Sequence, residues 1–234
     1  MVFYAYVKQI TDNSSYRYVI VFTSRAVADE WWRAVSTSAI VSFTDSIRRV
    51  NAQFYTHDVN QANAANSLTT TGVATQFLGD VFFTLLNDLG GRGLSIIPSP
   101  DHFVDHISGN SFFIRSKVSP YKYWYYPQSS NATNAIYVSH TERTLFRVSR
   151  TDSGTAGTII IGSDEINITL TTVDLSINVI ASTGQVIVSA VPMSGLKFSD
   201  LLNKFTVGPT YIDDQNLATR ELLGTDDGEE WELA

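Results

Sequence analysis

Leu145-Phe146-Arg147-Val148 and Glu230-Trp231-Glu232-Leu233 decide how the second half of this chain is read. Each places an aromatic residue two positions before an aliphatic one, the alternation of a strand with one buried face. The two tetrads lie 85 positions apart, and half that interval falls at Val188, inside residues 185–191 (QVIVSAV), a further apolar alternation. Three units of about 40 residues, each closing on a buried strand, predict a β-trefoil-like domain. The segments around these tetrads fit that reading. Residues 112–118 (FFIRSKV), 122–126 (KYWYY), 135–140 (AIYVSH), 144–149 (TLFRVS), 158–162 (TIIIG), 166–172 (INITLTT) and 175–181 (LSINVIA) all read as short strands. Turn signals at Ser119-Pro120, Asp152 to Gly154 and Ala181 to Gly184 separate them, as in all-β sandwiches and barrels.

The first half reads differently. Phe3, Ala5 and Val7 alternate with Tyr4, Tyr6 and Lys8, and a polar cluster at residues 11–15 leads into residues 16–23 (YRYVIVFT), so a β-hairpin is expected. Ser24 stands as an N-cap before residues 25–37, in which Val27, Trp31 and Val35 fall on one helical face. Residues 47–56 read as one further strand, and residues 58–72 as loop with at most one helical turn. Residues 77–87 and 94–97 flank Gly90, Gly91 and Gly93 as a strand–turn–strand connection. Pro98 and Pro100 mark the boundary, because proline removes ladder donors and disfavours helix before it. The expected organisation is a small α+β domain over residues 1–100 and an all-β, β-trefoil-like domain over residues 101–234, mostly β in total.

Residues 108–127 (SGNSFFIRSKVSPYKYWYYP) with 135–149 (AIYVSHTERTLFRVS) resemble one repeat of the ricin-B-like β-trefoil proteins common in mushrooms. Residues 228–234 (GEEWELA) resemble the last strand of such a chain. The likeness covers about residues 105–234 and is clearest over 109–150. It implies a lectin-like, carbohydrate-binding defence protein of fungal type. The family's Gln-x-Trp signature is absent: Thr144 stands before Phe146 and Glu229 before Trp231, which separates the expected fold from the expected sugar site. The first hundred residues resemble only uncharacterised mushroom proteins.

Composition bounds the function. With 234 residues, 44% of them apolar, the chain can bury a sizeable core. A net charge of −7 argues against a sequence-blind nucleic-acid binder, whose affinity rests on lysine and arginine at phosphates. The absence of cysteine excludes disulfides, thiolate metal sites and cysteine nucleophiles. No apolar run approaches the roughly 20 residues of a membrane span, and no secretory signal is visible, so a cytoplasmic protein, or an already mature one, is expected.

The densest chemical signal is Tyr121 to Gln128. On a strand, Tyr121, Tyr123 and Tyr125 face one way and Trp124 and Tyr126 the other. One face must be core, and the other can stack the C–H face of a sugar. Tyr123, Trp124, Tyr126, Gln128, Asn131 and Asn134 are the expected ligand-binding residues, the amides each offering a donor and an acceptor. The same rings could stack a nucleobase. Glu30 and Arg33, three apart on the expected helix, match the pair used by ribosome-inactivating N-glycosylases, with Tyr4, Tyr6, Tyr16 and Tyr18 as candidate stacking rings. Glu-x-x-Arg is also a common surface ion pair. Two histidines, His102 and His106, lie four apart beside Asp101 and Asp105, but lack the glutamate of a zinc-protease motif. His57-Asp58 and His140 find no nucleophile elbow, Gly90 to Gly93 is no phosphate loop (Arg92 could still contact an anion), and Asp226 to Glu230 reads as a solvated turn. No metal or cofactor is expected. Three readings follow: a glycan-binding module, an enzyme acting on ribosomal RNA, and a non-catalytic interaction or inhibitor protein, any of which could form a homo-oligomer.

Overall fold

Phe3, Ala5 and Val7 are buried and Tyr4 is exposed, so the alternation at the N-terminus resolves into one sheet with a core face and an outer face. The computed structural model describes residues 1–11, 15–86, 104–127, 134–152, 156–212 and 218–234. Chain contacts divide it into two units, Met1–Asp105 and His106–Ala234. Pro98 and Pro100, the expected boundary, lie outside the described residues. The chain is mostly β.

In the first unit, β1 (Phe3–Gln9) and β2 (Tyr18–Phe22) form the expected hairpin, with Phe3 opposite Phe22 and Val7 opposite Tyr18. Helix α1 (Arg25–Ser36) starts where Ser24 Oγ accepts the Val27 N–H at 3.2 Å. Its Trp31 and Val35 are fully buried. The Trp31 ring packs on Phe22, Tyr55 and Phe83 and donates its indole N–H to Ser67 Oγ at 3.0 Å. A short helix α2 (Val41–Ser46), not expected from the sequence, leads into β3 (Ile47–Asn51). The single strand expected over residues 47–56 is a hairpin of β3 and β4 (Phe54–His57), because Asn51 Oδ1 accepts the Gln53 N–H at 2.9 Å and turns the chain. β4 runs parallel to β1, and β5 (Val81–Leu85) closes a sheet of order β3-β4-β1-β2-β5.

The alanine-rich stretch read as loop is a structural layer instead. Two 3-10 turns, Ala64–Leu68 and Thr75–Phe77, bury Ala62, Ala64, Leu68, Val73 and Ala74 in the same core as Trp31. Small side chains let this backbone approach closely, and its polar groups pair internally, as Ala74 N–H does with Ser67 O. Periodicity could not reveal it, since no regular element spans it.

The second unit contains β6 (Ser111–Phe112), β7 (Ile114–Ser116), β8 (Tyr123–Tyr125), β9 (Tyr137–Ser139), β10 (Phe146–Arg150), β11 (Ile166–Leu170), β12 (Ser176–Val179), β13 (Val186–Ser189), β14 (Phe205–Ile212), β15 (Ala218–Gly224) and β16 (Trp231–Leu233). They form a five-stranded sheet, β13-β12-β11-β10-β6, and a six-stranded one, β14-β15-β9-β8-β7-β16. Three antiparallel pairs, β8–β9, β11–β12 and β14–β15, are each followed by a strand carrying a buried residue: Phe146, Val188 and Trp231. The first and last strands meet, Ile114 opposite Leu233. β14 and β15 are absent from the sequence reading; in β14 Gly208-Pro209 interrupts the alternation, and the register shifts there between Val207 and Thr210. Residues 158–162, expected as a strand, form only a bridge from Ile159 to Ile107. The acidic turn near the C-terminus is not simply solvated: Glu229 meets Lys122 at 2.9 Å and Glu230 meets Lys117 at 3.3 Å.

Candidate functional site

The parity of β8 sorts the aromatic cluster of the second unit. Trp124 has no exposed surface and sits edge-on against Phe205 (4.9 Å), Trp231 (5.9 Å) and Phe146 (6.1 Å). It is a core residue, and the expectation that it stacks a ligand is corrected: the inward face of a central strand is closed to solvent. Tyr123 and Tyr125, one position either side, point the other way and are half-buried, while Tyr121 is 40% exposed. Tyr126 is half-buried and its N–H donates to Thr144 Oγ1 at 2.9 Å. Asn134 is exposed, and its backbone carbonyl accepts the Val188 N–H at 2.7 Å. Gln128 and Asn131 lie outside the described residues.

Two arginines that sequence reasoning did not assign to the site complete this face. Arg115, opposite Tyr123 in the β7–β8 pair, lies 4.3 Å from the Tyr121 ring centroid. Its Nε and Nη2 both reach Glu232 Oε1 at 2.9 Å, across the β16–β7 pair. Arg143, in the loop between β9 and β10, lies 4.4 Å from the Phe113 centroid and 5.8 Å from that of Tyr123. Phe113 and Tyr123 meet edge-on at 6.5 Å. The result is a run of rings and guanidinium planes: Tyr121, Arg115, Tyr123, Arg143, Phe113. Partial burial, with the field of Glu142 second, pushes the Tyr125 phenol above its ordinary range, so it remains a hydroxyl donor. The signal was present in the sequence, since Phe113 and Arg115 are two apart and Arg143 precedes β10, but their faces become visible only once the strands pair.

The first unit holds a second cluster. Arg49, its side chain 4% exposed, donates through one nitrogen to Asp29 Oδ1 at 2.8 Å and to Asp105 Oδ1 at 2.7 Å. Arg25 Nε reaches Asp29 Oδ2 at 2.9 Å, and Arg25 Nη2 donates to the Val104 carbonyl at 3.1 Å. Two cations meet two carboxylates, so the cluster is neutral. Tyr55 lies beneath it, fully buried, its phenol pushed up to about 12 by that burial. Among the described residues, the Tyr55 hydroxyl and the Arg49 Nε and Nη1 have no hydrogen-bond partner.

The expected catalytic pair sits on α1. The Glu30 carboxyl is raised by partial burial and by Asp29, against the pull of Arg33. The stacking rings do not join it. Tyr4 and Tyr6 lie on the outer face of the sheet, opposite the face covered by α1; Tyr16 is 49% exposed before β2; and Tyr18 is buried in the core with Asn63 donating to its hydroxyl at 2.8 Å. Glu30 and Arg33 thus lack the base-stacking platform the sequence had offered them. His57 is no general base either: its Nδ1 accepts the Ala64 N–H at 3.1 Å, which leaves Nε2–H to donate to the Tyr16 carbonyl at 2.8 Å, and burial pushes its pKa down. Asp58 is half-buried and accepts from Asn60 and Gln61 in its own turn and from Gln9 Nε2 at 3.4 Å. His140 Nδ1 lies 2.9 Å from the Tyr121 carbonyl. Asp105 is engaged by Arg49, and His106 packs on Phe198 and Phe112, so these two members of the His–Asp motif serve separate structural ends; Asp101 and His102 lie outside the described residues, as does Arg92. No group of three or more metal-ligating side chains occurs, and no helix is long and apolar enough to cross a membrane, among the described residues.

Compared with known proteins, the chain matches no family model, no curated protein and no solved structure.

Proposed function

We propose that the second unit is a carbohydrate-binding module of β-trefoil type, and that its ligand sits on the outer face of β8. The observation that carries the reading is the placement of Tyr121, Tyr123 and Tyr125 on a solvent-accessible face beside Arg115 and Arg143. Rings already in contact with guanidinium groups lose less rotamer freedom on binding than free side chains, so stacking against a sugar starts from a partly organised surface. The trefoil part of the proposal rests on three hairpins, each followed by a buried closing strand at intervals of 42 and 43 residues: Phe146, Val188, Trp231. A lectin-like defence role, of the kind the resemblance to mushroom proteins implies, is consistent with that surface.

The test is an array of neutral and acidic glycans probed with the intact protein and with Tyr123→Ala. Binding that falls at least tenfold in the variant, with an unchanged far-UV spectrum, supports the site. An array with no bound glycan removes the carbohydrate reading. Ribosomes incubated with the protein and treated with aniline would then test the remaining enzymatic reading, for which a discrete rRNA fragment is the positive result.

A further inference from the structure

On the reading that the outer face of β8 binds glycans, we propose that its ligand is an acidic sugar, a uronic acid whose carboxylate is held by Arg143. The guanidinium of Arg143 lies 4.4 Å from the Phe113 centroid and 5.8 Å from that of Tyr123, contacts to ring faces that use none of its five N–H donors on an acceptor. Neighbouring cations differ from it. Arg115 is taken up by Glu232, Lys117 by Glu230 and Lys122 by Glu229, whereas Arg143 has no carboxylate partner among the described residues. In a chain with 23 acidic and 16 basic residues, a ring-clamped guanidinium with no carboxylate on it is a site prepared for one supplied from outside.

Charge decides between kinds of anion. Glu229, Glu230 and Glu232 neutralise the neighbouring cations and the whole chain carries −7, so a densely charged polymer such as nucleic acid or a heavily sulfated glycan finds one arginine to pair with and otherwise meets net repulsion. A sugar with a single carboxylate presents one charge to one cation. The planar carboxylate also matches the guanidinium fork, and Tyr125, half-buried on the same face of β8 as Tyr123, offers a ring and a hydroxyl to the rest of the sugar.

Calorimetric titration at low ionic strength with trigalacturonate, its methyl ester and a sulfated trisaccharide tests the assignment on the full chain. Trigalacturonate is expected to bind, with at least tenfold weaker binding for the methyl ester, for the sulfated sugar and for Arg143→Gln, and partial recovery in Arg143→Lys. Arg143 is exposed, so both variants should melt within a degree or two of the parent. Equal binding of acid and methyl ester overturns the acidic-sugar assignment and leaves the glycan face standing. Equal binding of the sulfated sugar overturns the carboxylate in favour of anions in general. No binding of any of these, together with an empty glycan array, overturns both proposals.

Discussion

Replacing Asp29 by alanine removes the carboxylate shared by Arg49 and Arg25 in the first unit. Its oxygens lie 2.8 Å from Arg49 and 2.9 Å from Arg25, on a side chain 6% exposed. At an effective dielectric near 20, one such pair is worth about 4 kcal/mol of Coulomb energy, and breaking a buried pair costs about 3–5 kcal/mol because the surviving charge stays desolvated. Asp105 remains on Arg49 at 2.7 Å, which places the expected cost at the low end, about 3 kcal/mol. Native-state hydrogen exchange reads it unit by unit. Amides of α1 should lose roughly a hundredfold in protection, since each 1.4 kcal/mol is about a factor of ten, while those of β10 and β11 keep theirs. The double variant Arg49→Met with Asp29→Leu leaves Arg25 with Asp105, 3.7 Å apart, so charge stays balanced. It should be more stable than Asp29→Ala. A loss below tenfold in Asp29→Ala, or a double variant worse than the single, would refute the claim that this cluster is held by buried charge.

Three further outcomes follow from particular contacts. His57 is neutral in the folded state with its pKa depressed, so the unfolded chain takes up the proton first; its contribution is complete above the ordinary value of about 6.5 and is lost as pH falls below that toward the folded value. Protection of β4 should fall between pH 7.5 and 5.5 in the parent and stay flat in His57→Gln; a parent equally protected at both would contradict this. A Cβ at Gly228 would meet Asn203 O and Phe205 N at 2.7 Å, so Gly228→Ala should lower the urea midpoint of the second unit by the equivalent of about 1–3 kcal/mol, whereas Gly162→Ala, facing only Ser199 Cβ at 3.6 Å, should not. Trp124→Ala should cost about 3–5 kcal/mol. Trp124→Phe should cost far less, because the indole N–H it removes has no partner among the described residues; equal losses would show that this nitrogen is satisfied.

What the sequence made legible was whatever repeats or alternates. Phe3, Ala5 and Val7 announce a core face at period two, Ser24 and Trp31 announce a capped helix, and the alternation around Phe146, Val188 and Trp231 announces strands with a buried face. What it hid depended on pairing at long range. Asp29 reads as one charge on a polar helix face until β3 brings Arg49 to it across 20 residues, and Asp105 until Arg49 reaches it across 56. Gly208-Pro209 hid β14 because a bulge and an alternation break look alike in one dimension. Tyr4 and Tyr6 supported an enzyme only while the sheet face they occupy was unknown.

The division of labour in the second unit rests on the phase of one three-residue strand. Tyr123-Trp124-Tyr125 pairs with Ser139, Val138 and Tyr137, and a slip of one position would turn Trp124 to solvent and drive two tyrosines into the space beside Phe205 and Trp231. Two hydroxyls would then be buried where the neighbouring rings offer no hydrogen-bond acceptor, while the largest apolar side chain of the strand would leave the core. The register that fills the core is therefore the register that presents the rings. If the proposed site binds, packing and binding are set by the same alternation, and such a surface would need no Gln-x-Trp signature, only the strand and the guanidinium groups of Arg115 and Arg143 beside its rings.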